Sequence, residues 1–280
     1  MAPEPDAASR SGESRVSTRI DVAFRRMRRD ARTGLVTYVT AGYPDADRSG
    51  AILLALDRAG ADVLEVGVPF SDPVADGPVI QRASERALAA GSTLRATLEL
   101  VARLRPSIGA PIVLFSYANP LLRMGLERFA DMAGAAGVDG VLVLDLPIEE
   151  AGGLRGMLDR VGIDTIFLLS PTTTDARIAR AAELGRGFLY GISRLGVTGV
   201  RDEVATGARE LAARIRAISS MPLALGFGIS RPEHVAEVGR WADAAVVGSG
   251  LVSLIAEQAS SPTLTDDVEA YVRWLRGIDP

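Results

Sequence analysis

Residues 65–78, EVGVPFSDPVADGP, end an apolar run and then break it. Val63, Leu64 and Val66 lead in as a buried strand. Pro69, Pro73 and Pro78, with Gly67 and Gly77, let neither a central strand nor a helix continue. Glu65 therefore sits near the end of a buried strand, with Asp72 and Asp76 on the loop that follows. A carboxylate within a Val/Leu strand is costly to bury as an anion. It survives by pairing, by hydrogen bonding or by a raised pKa, and the last makes a usable general acid or base near neutral pH. The alternative for Glu65 is a structural carboxylate paired with an arginine.

The same unit, a short apolar strand, a Gly/Pro/Asp break and an amphipathic helix, recurs along the chain. Strands are expected at Gly34–Thr40, Val63–Gly67, Ile112–Ser116, Gly140–Leu144, Thr165–Leu169, Gly187–Gly191, Leu223–Gly228 and Ala244–Gly248. Helical patterns fall between them, at Ser49–Ala59, Ile80–Ala89, Thr93–Leu104, Leu126–Ala136, Glu149–Val161, Asp175–Leu184, Val204–Ile218, Pro232–Val238 and Val252–Gln258. Eight buried strands alternating with helices fit parallel crossovers, and the lack of an obvious edge strand favours closure. The expectation is an α/β fold, a single (β/α)8 TIM barrel over 19–280, with a doubly wound open sheet as the alternative. An extra N-terminal helix, Ile20–Arg29, would plug one end, and an extra C-terminal helix, Thr265–Arg276, would follow the last unit. Residues 1–18, rich in Pro, Ser and charge, read as a disordered tail without a secretory signal.

Composition narrows the chemistry. The 280 residues are 48% hydrophobic with a net charge of −4, so no basic field exists to hold nucleic acid or anionic lipid. There is no cysteine, which excludes disulfides and thiolate chemistry. His234 is the one histidine, and all 31 basic residues are arginine. A Ser-His-Asp triad could form only around His234, and Schiff-base chemistry has no lysine to use. No apolar run reaches the length of a membrane span, so a cytoplasmic location is expected.

A barrel places chemistry at the C-terminal ends of its strands. Glu65, Asp76, Tyr117, Asn119, Asp145, Tyr190, Ser193 and Arg194 all fall there, together with GFGI (226–229) and GSG (248–250). The two glycine clusters lie where barrels commonly bind phosphate through backbone N–H groups and a helix N-terminus. Gly199, in the long loop SRLGVTGVR (193–201), could complete that cradle. Each feature also has an ordinary reading: a rim aromatic, a helix-capping carboxylate, a tight turn. His234, in the helix after strand seven, is expected away from the mouth in a structural role. A phosphate-bearing substrate meeting carboxylates and tyrosine, without thiol or lysine, points to proton transfer: isomerisation, or making and breaking a carbon–carbon bond.

The segments LEVGVPFSDPVADGP, FSYANP, LVLDLP, YGISRLGVTG, LGFGIS and VVGSG, in this order, resemble the tryptophan synthase alpha chain family from about Ile20 to Ile255. The resemblance implies a TIM barrel that reversibly cleaves indole-3-glycerol phosphate to indole and glyceraldehyde 3-phosphate without a cofactor. It puts the catalytic glutamate at Glu65, the aspartate that accepts the indole N–H at Asp76, and the active-site tyrosine at Tyr190. Tyr38 and Tyr117 would line the indole pocket. Gly199, Gly228, Gly248 and Ser249 would contact phosphate, and Arg194 and Thr198 would belong to a closing loop. The implied partner is the tryptophan synthase beta chain in an α2β2 heterotetramer, which carries pyridoxal phosphate on its own lysine and is met by the loop around Asp72 and Pro73. Tyr38 stands where the family often has Phe, and the N-terminal tail is longer than the family pattern. Two rival readings are another cofactor-free phosphosugar isomerase or epimerase barrel, and a non-catalytic subunit that activates a partner.

Overall fold

The computed structural model describes residues 17–192, 206–226 and 228–278. Nine strands form one parallel sheet: β1 (Gly34–Thr40), β2 (Val63–Gly67), β3 (Ile112–Ser116), β4 (Gly140–Val143), β5 (Asp164–Ile166), β6 (Leu168–Leu169), β7 (Leu189–Ile192), β8 (Leu223–Gly226) and β9 (Ala244–Val247). Their order is β5-β4-β3-β2-β1-β9-β8-β7-β6. β5 and β6 are two halves of one stretch, separated by Phe167. The first half bonds to β4 and the second to β7, and the Phe167 carbonyl accepts from Tyr190 N–H at 3.1 Å. The single strand expected at Thr165–Leu169 thus hands its hydrogen bonds from one neighbour to the other. That stagger closes a tilted barrel.

The helices around it are α1 (Arg19–Arg29), α2 (Ala46–Arg58), α3 (Pro78–Ala89), α4 (Leu94–Leu104), α5 (Ala118–Met124), α6 (Leu126–Ala136), α7 (Gly152–Arg160), α8 (Asp175–Leu184), α9 (Thr206–Ile218), α10 (Pro232–Val238), α11 (Ser249–Glu257) and α12 (Leu264–Leu275). α5 has no counterpart among the expected helices; it starts directly after Tyr117 and stops at Gly125, whose φ of 88° breaks it from α6. The pattern expected over Glu149–Val161 is a 3-10 turn, Ile148–Glu150, followed by α7. Gly152 and Gly153 begin that helix, where glycine propagates poorly. α11 starts three residues earlier than expected, so Ser249 and Gly250 belong to its first turn. Residues 1–16 of the expected tail lie outside the described residues, and Thr18 caps α1 in a reciprocal bond pair with Asp21. Among the described residues no helix is long and apolar enough to cross a membrane.

α1 decides which end of the barrel is open. Its Ile20, Phe24 and Met27 are fully buried against Val36, Val63, Val113, Leu142, Ile166 and Phe188, the inward residues nearest the strand starts. Each contributes roughly 2 kcal/mol of apolar burial. Three glycines make room: a Cβ on Gly34 would collide with Met27 sulfur, and one on Gly140 or Gly187 would lie 2.9 or 3.0 Å from Ile20. The N-terminal end is sealed, which leaves the C-terminal end as the mouth.

Candidate active site

Inside the barrel, one layer above the plug, Tyr38 of β1 is in register with Glu65 of β2, and Glu65 with Val113 of β3. Strand alternation turns all three inward. Glu65 is completely buried, and neither carboxylate oxygen has a hydrogen bond of ordinary geometry. Burial pushes its pKa to about 8, with the Tyr190 hydroxyl, facing the carboxylate, acting in the opposite direction. Among the described residues, no arginine stands beside it as a structural carboxylate would need.

Asp76 rides on the β2–α3 loop. Its pKa is raised to about 6, by burial first, against the Tyr117 hydroxyl, which donates to Oδ2 at 3.1 Å. The same hydroxyl accepts from Ala75 N–H at 3.0 Å. Tyr117, expected as a pocket wall, therefore also holds the second acid. Phe70 packs on its ring at 4.9 Å between centroids.

Glu65 and Asp76 lie around the same two tyrosines, which line one chamber. The charge of each acts on both buried phenols, Tyr38 and Tyr190, whose pKa values burial pushes well above the ordinary tyrosine range. Tyr38 meets the Phe115 ring edge-on at 5.3 Å, and Phe115 lies 6.4 Å from Tyr190, giving an aromatic wall beside Glu65. The chamber needs small neighbours. A Cβ on Gly67 would strike the Tyr38 ring, and one on Gly226 would come within 3.2 Å of the Tyr190 hydroxyl.

The glycine turns lie at this same end. Gly248, where a Cβ would lie 3.6 Å from Tyr38 Cβ and 3.8 Å from its ring, is the N-cap of α11 and offers no side-chain cap. The first intrahelical bond is Val252 N–H to Gly248 carbonyl. The N–H groups of Ser249, Gly250 and Leu251 precede it and form the donor cluster that favours anions. Gly228, with φ of 59°, turns the loop after β8 toward α10. Arg194, Thr198 and Gly199 lie outside the described residues.

Three residues support this end, and two of them, Gln81 and Tyr271, were missed in the sequence. Gln81, near the start of α3, donates from its amide to the Asp76 and Pro73 carbonyls at 2.8 and 3.3 Å. Tyr271 of α12 donates to the Ser230 carbonyl at 3.2 Å, and a Cβ on Gly250 would lie 2.8 Å from its hydroxyl. Gly250 is thus required by Tyr271 as much as by any ligand. His234 has the structural role expected of it but not the expected place: its Nδ1 accepts from Ser230 N–H at 3.3 Å, in the loop that carries Gly228, so it braces the mouth. A polar amide in the first turns after a Gly-Pro loop was the available signal for Gln81. For Tyr271 there was none, because its partner comes from a contact between a helix and a distant loop. Asp145 takes the ordinary role, accepting Ala118 N–H at 2.7 Å at the start of α5.

A sealed parallel barrel, two carboxyls raised to different degrees and an anion-favouring helix start define a (β/α)8-barrel enzyme that works by proton transfer. The family model described as "Tryptophan synthase alpha chain" matches residues 24–276. The alpha chains of Solibacter usitatus and Geobacter sulfurreducens are 47% and 48% identical, each match covering 92% of this chain and 97% and 98% of the relative. Among solved structures, tryptophan synthase subunit alpha from Legionella pneumophila superposes with a TM-score of 0.86 at 35% identity, over 93% of this chain and 98% of that one. A tryptophan synthase chain of Mycobacterium tuberculosis gives 0.83 at 38%, over 92% and 99%. The chain belongs to the tryptophan synthase alpha chain family.

Proposed function

We propose that this mouth reversibly cleaves indole-3-glycerol phosphate to indole and glyceraldehyde 3-phosphate, a lyase step of tryptophan biosynthesis, with Glu65, Asp76 and Tyr190 as catalytic residues. The observation that carries the reading is the pair of acids at the mouth, Glu65 wholly buried inside the barrel and Asp76 held by the Tyr117 hydroxyl at 3.1 Å, an arrangement that sets their pKa values apart at about 8 and about 6. At neutral pH Glu65 holds its proton and Asp76 is largely ionised. Glu65 gives its proton to indole C3, which makes the ring a leaving group. The carboxylate then takes the proton of the glycerol hydroxyl as the carbon–carbon bond breaks, and the acid is restored. Asp76 accepts the indole N–H and stabilises the positive charge that develops on the ring. Tyr190, kept neutral by burial, orients Glu65. Tyr38 lines the apolar pocket, and Tyr117 closes it while holding Asp76. Gly228, Gly248 and Ser249 bind the phosphate, and Gly199, Arg194 and Thr198, which lie outside the described residues, are assigned to the same task. No cofactor is consumed, and charged phosphate substrates suit a cytoplasmic step.

The partner is a beta chain in an α2β2 assembly, holding pyridoxal phosphate on its own lysine. The Asp72–Pro73 loop supports this: Val74 within it is 85% exposed, and Leu122 on α5, which starts after Tyr117, is 61% exposed. A partner that covered the two side chains would remove their apolar surface from water.

Indole release, followed against pH, tests the reading. Turnover rises through about 6 as Asp76 ionises and falls through about 8 as Glu65 loses its proton. Asp76→Asn lowers it by about two orders of magnitude. A flat pH profile, or an Asp76→Asn variant as fast as wild type, refutes it. Capture of the beta chain that fails for Val74→Asp but holds for wild type supports the docking loop.

A further inference from the structure

The loop that carries Asp76 has little of its own to hold it. Ser71, Asp72, Val74 and Ala75 are exposed. Its internal backbone bonds are Val74 N–H to Asp72 carbonyl and Asp76 N–H to Pro73 carbonyl. Two side chains fasten it from different elements. From β3's end, Tyr117 fixes Ala75 N–H and one oxygen of Asp76. From α3, the Gln81 amide nitrogen donates to two carbonyls, Asp76 at 2.8 Å and Pro73 at 3.3 Å. Both acceptors are carbonyls, so only the NH2 end of the amide can face the loop.

We propose that Gln81 is a positioning residue for the cleavage: by tying the Pro73 and Asp76 carbonyls to α3 it sets where the Asp76 carboxylate stands against the substrate ring. The inference rests on the reading of Asp76 as the N–H acceptor. Tyr117 holds the carboxylate tip and Gln81 holds the backbone beneath it. With one gone, the loop pivots about the other. A displacement near 1 Å in such a group costs up to about a hundredfold in rate, whereas a hydrogen bond that only stabilised the fold would leave the turnover of folded molecules intact.

Gln81→Met removes both donors at nearly the same volume, and the half-buried site tolerates the change. In the full-length chain, kcat for indole release falls about tenfold with KM within about twofold. The acidic limb of the kcat/KM profile moves to lower pH, because the freed loop lets water reach Asp76 and reverses part of its burial. Combining Gln81→Met with Tyr117→Phe costs less than the product of the two single losses, since both act on one loop. A kcat within twofold of wild type, an unmoved acidic limb or multiplicative losses overturn the proposal. Gln81→Glu, which also lacks the donors, shows the same fall in kcat and decides the matter if the methionine variant folds poorly. A wild-type chain that releases no indole in the same assay overturns the reaction assignment together with this one, whereas an active wild type with an unaffected variant overturns only the role of Gln81.

Discussion

The two ends of the barrel treat aspartate and glutamate in opposite ways. At the sealed end, an aspartate stands just before a strand three times over, and each accepts a backbone N–H from the neighbouring strand start. Asp62 accepts from Leu35, Asp139 from Ile112 and Asp243 from Leu223, at 2.8–2.9 Å. Each also holds two arginines: Arg32 and Arg276, Arg19 and Arg105, Arg28 and Arg216. For Asp243 burial raises the pKa, but the bonds from Arg28 and Arg216 outweigh it and the net shift is downward. At the mouth, Glu65 and Asp76 have tyrosines for neighbours in place of arginines, and their pKa values go up. Paired acids tie the sealed end together; without an arginine beside it, Glu65 at the open end keeps its proton available for transfer, and Asp76 titrates close to neutral pH.

The largest effect that could break this contrast is on turnover. Glu65→Gln keeps the volume and removes the acid, so indole release falls by two or more orders of magnitude. The same variant gains stability in alkali. A carboxyl whose folded pKa exceeds its unfolded one stabilises fully below the unfolded value, and that stability is lost as pH rises through the folded value. For Glu65 the window runs from 4.5 to about 8. At pH 9 the variant is therefore more stable to urea than wild type, by on the order of 3–5 kcal/mol; a wild type equally stable there contradicts the unpaired burial of Glu65.

Asp139→Ala, at the sealed end, does the reverse. It leaves Arg105 Nη1 and Ile112 N–H without their acceptor and costs about 2–4 kcal/mol in denaturant titration, with kcat of the folded enzyme unchanged. A loss of kcat instead would show that the two ends are not separate in function. Tyr117→Phe sharpens the mouth side. It lowers kcat about tenfold, and by removing the hydrogen bond that opposes burial at Asp76 it moves the acidic limb to higher pH. The smallest effect is at Tyr271. Tyr271→Phe leaves kcat alone and raises KM for the phosphate substrate about two- to fourfold, since the hydroxyl holds the Ser230 carbonyl and not the substrate. Steady-state kinetics that show no KM change would separate α12 from the phosphate turn.

Much of the fold was legible because buried parallel strands are continuous apolar runs, and β1, β2 and β3 have the expected bounds. Where the chain departs from a simple run, the expectations slipped. The fifth strand splits at Phe167 because closure depends on two neighbours that no single segment encodes. α11 takes in Ser249 and Gly250 because helix starts are set by backbone geometry more than by composition.

By itself the sequence determined that no thiol or lysine chemistry is available to this chain, that its strands are short and buried, and that acids and glycines collect after them. Those are properties of residue type and local order. Only the tertiary structure decided that Glu65 goes unpaired while Asp62, Asp139 and Asp243 are each held by two arginines, and that Gln81, His234 and Tyr271 brace the loops of the mouth. A side chain's partner, and hence its proton affinity, depends on which distant segments the closed barrel brings within hydrogen-bond reach.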